Sequence, residues 1–95
     1  MLHDIQFEWD EAKSARNEAE RGFGFEYASI IFKDEVLVDE DTRRDYGEQR
    51  FLATGKVDER FIVVVFTRRS DRIRIISARI AKRRERDAYR EAFAA

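Results

Sequence analysis

The side chains best suited to chemistry in this sequence are its arginines, and they are unevenly placed. Residues 68–95 hold ten Lys and Arg against four Asp and Glu, a net charge of +6. Residues 1–67 hold nine against sixteen, a net charge of −7. A guanidinium stays charged at physiological pH and can clamp a phosphate through two hydrogen bonds. The division predicts an anion-binding region in the C-terminal third, with nucleic acid the commonest large anion. The alternative is that these charges only solvate a helix and strand edges.

The other reactive side chains exclude several kinds of site. Because there is no cysteine, the chain forms no disulfide and binds no metal through thiolates, which fits a reducing cytoplasm. The only histidine is His3, so a mechanism that needs two histidines is excluded. Without a histidine base, Ser77 is not expected to act as a nucleophile. The acidic residues are scattered rather than spaced like metal ligands. We therefore expect neither a metal nor another cofactor.

The length predicts one domain that comprises residues 1–95, because two separate cores need a longer chain. Met1–Asp10 carries three acidic residues, which argues against a signal peptide. The longest apolar run, at 61–66, is too short to cross a bilayer. We expect a cytoplasmic protein that does not contact a membrane.

The pattern of apolar residues predicts an α+β domain. Asp10 is a plausible N-cap, and Gly22 ends the helix that follows it. Consecutive strands joined by short turns favour an antiparallel sheet of four to five strands, with the helices on one face. The predicted order is a strand at 5–9, helices at 11–21 and within 23–32, strands at 36–38, 48–56, 61–67 and 73–78, and a helix from about 79 to 93. Turns are expected from Gly55 to Glu59 and at Ser70–Asp71.

Four segments of the chain together resemble the BrnT family of toxins from type II toxin–antitoxin systems. Their order and spacing cover about nine-tenths of the sequence. They are Phe7-Glu8-Trp9-Asp10 with Lys13 and Asn17; Phe25-Glu26 with Ala28 and Phe32; Asp45 with Glu48-Gln49-Arg50; and Arg74-Ile75-Ile76-Ser77-Ala78-Arg79 with Ala81, Glu85-Arg86 and Tyr89. One departure is visible: the family commonly has Lys-His-Gly after its first helix, where this chain has Glu20-Arg21-Gly22. A role proposed for that histidine is therefore not carried over.

The resemblance implies a compact RelE-like ribonuclease fold and an activity that cuts RNA and so inhibits translation and growth. It also implies a cognate, BrnA-like antitoxin that neutralises the toxin and binds operator DNA. The expected complex is a heterotetramer of two toxins and two antitoxins.

Cutting RNA without a metal requires a base for the 2′-hydroxyl, an acid for the departing 5′-oxygen and positive charge on the phosphate. We assign Glu48 as the base and place Arg50 and Arg79 on the phosphate. Lys13 is a second charge or the acid. A 2′,3′-cyclic phosphate is the expected product. The residues expected to bind RNA along its backbone are Arg68, Arg69, Arg74, Lys82 and Arg83.

Each assignment has a structural alternative. Glu48 and Arg50 could form an exposed ion pair on one strand, and Arg79 could only flank the start of the last helix. Lys13 could be solvated, and Tyr89 could belong to the core. The basic helix could receive an acidic antitoxin segment instead of RNA. The whole chain could then be a non-catalytic module that binds nucleic acid or its antitoxin.

Overall fold

The structure is a computed structural model that describes residues 5–94. Its elements in chain order are β1 (Gln6–Trp9), α1 (Glu11–Arg21), α2 (Phe25–Ala28), a 3-10 helix (Ser29–Lys33), β2 (Leu37–Asp41), β3 (Arg50–Val57), β4 (Arg60–Arg69), β5 (Arg72–Ile80) and α3 (Arg83–Ala92). The α+β class and the order of elements are confirmed. His3 lies outside the described residues.

Helix α1 begins and ends where its capping residues predict. The Asp10 carboxylate accepts hydrogen bonds from the backbone N–H groups of Ala12 and Lys13, at 2.9 and 3.2 Å. These bonds satisfy donors that have no partner inside the helix. At the other end Gly22 adopts φ 91°, a left-handed conformation that glycine adopts without a steric penalty.

The five strands form one sheet in the order β1-β5-β4-β3-β2. Neighbours along β2 to β5 are antiparallel, as predicted, whereas β1 runs parallel to β5. The prediction of a wholly antiparallel sheet is wrong for this one pair. A short hairpin forces its two strands to be antiparallel. No hairpin joins β1 to β5, because most of the chain separates them.

The main core lies between one face of the sheet and the layer of α1, α2 and the 3-10 helix. Strand β4 contributes Ile62, Val64 and Phe66, which pack with Phe25 and Ile31 from the helical layer. Gly55 also faces this layer, within β3, so the predicted turn is shorter and lies at Asp58–Glu59. A side chain at Gly55 would not fit, since its Cβ would lie 2.6 Å from Ile31 Cβ.

Helix α3 packs on the opposite face of the sheet, which we call the α3 face. The Tyr89 ring contacts Phe61 at 5.5 Å between centroids, and its hydroxyl donates to the Glu35 carbonyl at 3.0 Å. The prediction that all helices share one face is therefore wrong. Phe61 and Arg79 point away from the α1 layer, and their contacts with Tyr89 and Glu85 hold α3 on that side. No residue of α3 is buried.

Candidate functional site

A row of charged side chains crosses the α3 face at one end. Asp41 lies opposite Arg50 in the pairing of β2 with β3, and Thr67 lies opposite Arg74 in the pairing of β4 with β5. Arg74 in turn lies opposite Glu8 of β1. Since side chains directly opposite each other in a ladder share a face, these residues form one line across all five strands. The structure therefore brings Arg50 and Arg74 together in a single row.

Arg79 projects from the same face, closer to α3. It lies opposite Val63, four residues along β4 from Thr67. Arg79 and Arg50 are thus separated by roughly 13 Å along the strands and roughly 10 Å across them. The side chains between them on this face are apolar or carry hydroxyls, namely Leu52, Thr54, Val63, Val65 and Ser77, and the middle three are buried. The two arginines border this strip, and their partly exposed guanidinium groups can contact a chain that carries charged groups at intervals.

Four arginines of this face have a carboxylate partner among the described residues. The distances between nitrogen and oxygen run from 2.8 to 3.2 Å. The four pairs are Arg43–Asp41, Arg50–Glu48, Arg74–Glu8 and Arg79–Glu85. These contacts hold the guanidinium groups in place and offset part of their charge.

The pair of Arg79 and Glu85 joins β5 to α3. Both terminal nitrogens of Arg79 donate to the Glu85 carboxylate at 2.8 Å, and the backbone N–H of Lys82 donates to the same group at 2.8 Å. The hydrogen bonds from Arg79 lower the pKa of Glu85 to about 2, and Glu85 in turn raises the pKa of Arg79. These are the contacts expected if Arg79 flanks the helix, and they leave Arg79 Nε for another ligand.

Residues 42–49 form a loop beside the row, and sequence reasoning missed its organising residue, Asp41. The Asp41 side chain is fully buried and accepts from the Arg43 side chain twice at 2.8 Å and from Tyr46 Oη at 3.2 Å. The hydrogen bond from Arg43 lowers the pKa of Asp41 to about 2. The Arg50 guanidinium stacks 4.1 Å above the Tyr46 ring. The available signal was the spacing of Asp41 and Arg43, which lets a carboxylate bond the backbone two residues on.

Comparison with known families adds a direct identification. A family model described as ribonuclease toxin, BrnT, of type II toxin–antitoxin system matches residues 9–85. The chain belongs to the BrnT family. A comparison with curated proteins finds no match. The matched range extends from Trp9 at the end of β1 to Glu85 in α3 and therefore contains most of the α3 face. A type II system implies that this BrnT chain has an antitoxin partner.

Glu48 and Lys13, both assigned to catalysis, lie in different parts of this BrnT chain. Glu48 lies in the loop before β3 rather than within the strand, yet it accepts from Arg50 Nε at 3.2 Å. Lys13 is exposed on α1 and shares a shallow groove with Ile76 and Ser77 at the β5 edge. Glu48 and Arg50 are therefore in contact, whereas Lys13 lies on the α1 side of the sheet and shares a groove only with Ser77 of the strip residues.

The residues assigned to RNA binding are spread around the BrnT fold. Arg68 points to the α1 side of the sheet, where its guanidinium lies 5.7 Å from the Phe51 ring centroid. Arg69 is exposed at the end of β4, and Arg74 belongs to the charged row. Lys82 and Arg83 are exposed at the start of α3. Only Arg68 faces away from the strip.

Within residues 5–94, no three His, Cys, Asp or Glu side chains group as metal ligands would. Across the same residues, no helix is long and apolar enough to span a membrane.

Proposed function

We propose that this chain is an endoribonuclease and that it cuts RNA on the strip between Arg50 and Arg79. The observation that carries the proposal is the placing of Arg50, Arg74 and Arg79 from two strands on one face, with Glu48 in contact with Arg50. Positive charge fixed where a phosphorane forms is the main requirement for such a reaction without a metal.

The reaction begins when the Glu48 carboxylate takes the proton of a ribose 2′-hydroxyl. The 2′-oxygen attacks the neighbouring phosphorus, so that a new P–O2′ bond forms while the P–O5′ bond breaks. Solvent gives a proton to the departing 5′-oxygen, and Lys13 supplies a further positive charge near Ser77. The products are a 2′,3′-cyclic phosphate and a 5′-hydroxyl, and Glu48 then loses its proton to solvent and returns to the carboxylate. No metal is needed in this scheme.

Arg50 and Arg79 stabilise the charge that builds up on the phosphate. Glu48 holds Arg50 through Nε, which leaves both terminal nitrogens for the phosphate. Arg79 contributes through Nε while Glu85 holds its other two nitrogens. Single-stranded RNA fits this site better than a duplex, because its bases are exposed, unlike those deep in an A-form groove.

Flanking cations extend the site along the RNA backbone. Arg74 and Arg69 continue it at the end of the charged row, and Lys82 and Arg83 continue it at the start of α3. Arg68 contributes only to RNA that passes around the hairpin of β4 and β5. We also propose that a BrnA-like antitoxin neutralises the chain in a heterotetramer of two toxins and two antitoxins, and that this antitoxin carries the complex to operator DNA. Free toxin then cuts RNA and so stops translation and growth.

The test is incubation of the purified chain with a defined RNA in the presence of a chelator, followed by analysis of fragment ends. We expect fragments with 2′,3′-cyclic phosphate ends, and a loss of roughly 100-fold or more in rate for Arg50→Gln. Arg60→Gln is the matched control, since Arg60 is exposed beside Tyr27 on the opposite face. Equal rates for the wild type and Arg50→Gln would reject the proposed site.

A non-catalytic module that binds nucleic acid or the antitoxin is the second candidate. The observation in its favour is that Glu85 already occupies both terminal nitrogens of Arg79. RNA that is bound but left intact by the wild type would establish this candidate instead.

A further inference from the structure

Arg43 is exposed, yet it is fixed by a buried group. Its side chain is 62% exposed, whereas the Asp41 carboxylate that it contacts is fully buried. Arg43 Nε and Nη2 each donate to Asp41 at 2.8 Å, and within residues 5–94 its third nitrogen, Nη1, makes no hydrogen bond to protein. A surface ion pair between two exposed groups is usually mobile and weak. A buried carboxylate holds its partner through both oxygens, so Arg43 presents Nη1 to solvent in a defined position.

The position of Arg43 belongs to the proposed RNA site. Asp41 lies directly opposite Arg50 in the ladder, so the guanidinium on Asp41 sits beside the charged row. Glu85 raises the pKa of Arg79, and the positive charge of Arg43 opposes that rise. Arg43 therefore lies close enough to Arg79 for the two like charges to interact, and an anion between them would relieve their repulsion.

We infer that Arg43 binds a phosphate of the RNA and that buried Asp41 positions it for that contact. The inference rests on the proposed function and adds two residues to it. Arg43 supplies a third fixed cation beside the row at Arg50. Asp41 touches no RNA and acts through Arg43.

The experiment measures binding of a single-stranded RNA oligonucleotide that is 2′-O-methylated throughout, so that it cannot be cut at the 2′-position. The dissociation constant is measured between 50 and 200 mM salt, a range in which phosphate contacts dominate its change. Loss of one phosphate contact to a single strand lowers the slope of log K against log salt by about 0.7. We expect this change in Arg43→Gln, together with roughly tenfold weaker binding. Arg60→Gln, which removes the same charge from the other face, should keep the wild-type slope.

A second pair of variants separates contact from folding. Asp41→Asn leaves no buried charge and keeps Arg43, so the slope should stay at the wild-type value while binding weakens. Adding Arg43→Gln to Asp41→Asn removes both charges, which avoids an unpaired buried carboxylate. The double variant should then show the lower slope. Circular dichroism checks that each variant is folded.

The outcomes distinguish this inference from the function on which it rests. The inference is overturned if the wild type binds RNA, Arg43→Gln has the wild-type slope, and the double variant has the slope of Asp41→Asn. Arg43 is then a structural residue of the loop. The proposed function survives that result. If the wild type does not bind RNA, the proposed function and the inference both fail.

Discussion

Replacing Glu85 with alanine should loosen α3 from the sheet. Glu85 accepts two hydrogen bonds from Arg79 and one from the Lys82 backbone, and each side chain of the ion pair is 25% exposed. A pKa lowered from 4.5 to about 2 corresponds to a contribution of about 3 kcal/mol to the free energy of unfolding at neutral pH. Solvent screening at these partly exposed groups reduces this to about 2 kcal/mol. For a domain of this size, the melting temperature should fall by roughly 8–16 °C.

Thermal unfolding followed by circular dichroism measures this loss, with Asp87→Ala as the control on the same helix. Asp87 makes only exposed contacts at 3.8 and 3.9 Å, so its removal should change stability by no more than about 0.5 kcal/mol. Because the native pKa of Glu85 lies below the unfolded value, its contribution is complete above about pH 4.5 and is lost as pH falls towards 2. The difference in melting temperature between the wild type and Glu85→Ala should therefore narrow as pH falls from about 4.5 towards 2. Equal melting temperatures at pH 7 would refute the argument that this pair holds α3.

Three further changes test other contacts. Gly55→Ala should lower the free energy of unfolding by about 1–3 kcal/mol in urea, because the new Cβ would lie 2.6 Å from Ile31 Cβ; an unchanged midpoint would mean that the helix layer can move aside. Tyr89→Phe keeps the ring but removes the hydrogen bond to the Glu35 carbonyl, so thermal unfolding should show that the free energy of unfolding falls by about 1 kcal/mol. No fall would mean that water replaces this hydrogen bond without cost. Asp41 has its pKa lowered from 3.8 to about 2, so it stabilises the fold above about pH 3.8 and less as pH falls; Asp41→Asn should flatten the acid dependence of the urea midpoint, and parallel curves would contradict this.

Local signals accounted for most of the fold. Asp10 and Gly22 mark the ends of α1 because the caps act within a few residues of the chain. The parallel pairing of β1 and the side taken by α3 depend on contacts between distant residues. Gly55 shows the same limit, since a glycine inside a strand becomes intelligible only when Ile31 is seen against it.

The sequence predicted only part of the candidate site, because the rest depends on contacts that local signals do not show. Alternation along β3 indicated the side to which Arg50 points, and proximity in sequence paired it with Glu48. Asp41 falls between the strands predicted at 36–38 and 48–56, and the sequence does not show that its carboxylate is buried. Asp41 fixes Arg43 because its carboxylate is buried beneath the loop.

The parallel pairing of β1 with β5 also governs when the chain can finish folding. Strand β1 leaves the ribosome before β5, which is its one neighbour in the sheet among residues 5–94 and lies about 66 positions later. Its ladder hydrogen bonds cannot form until β5 has been synthesised and has paired with β4. Contacts over such long separations slow folding, because the intervening chain must first be ordered. A chain interrupted before residue 72 lacks Arg74 and Arg79 and leaves β1 unpaired. The charged face of this toxin can therefore form only after β5 has been synthesised and has paired with both of its neighbours.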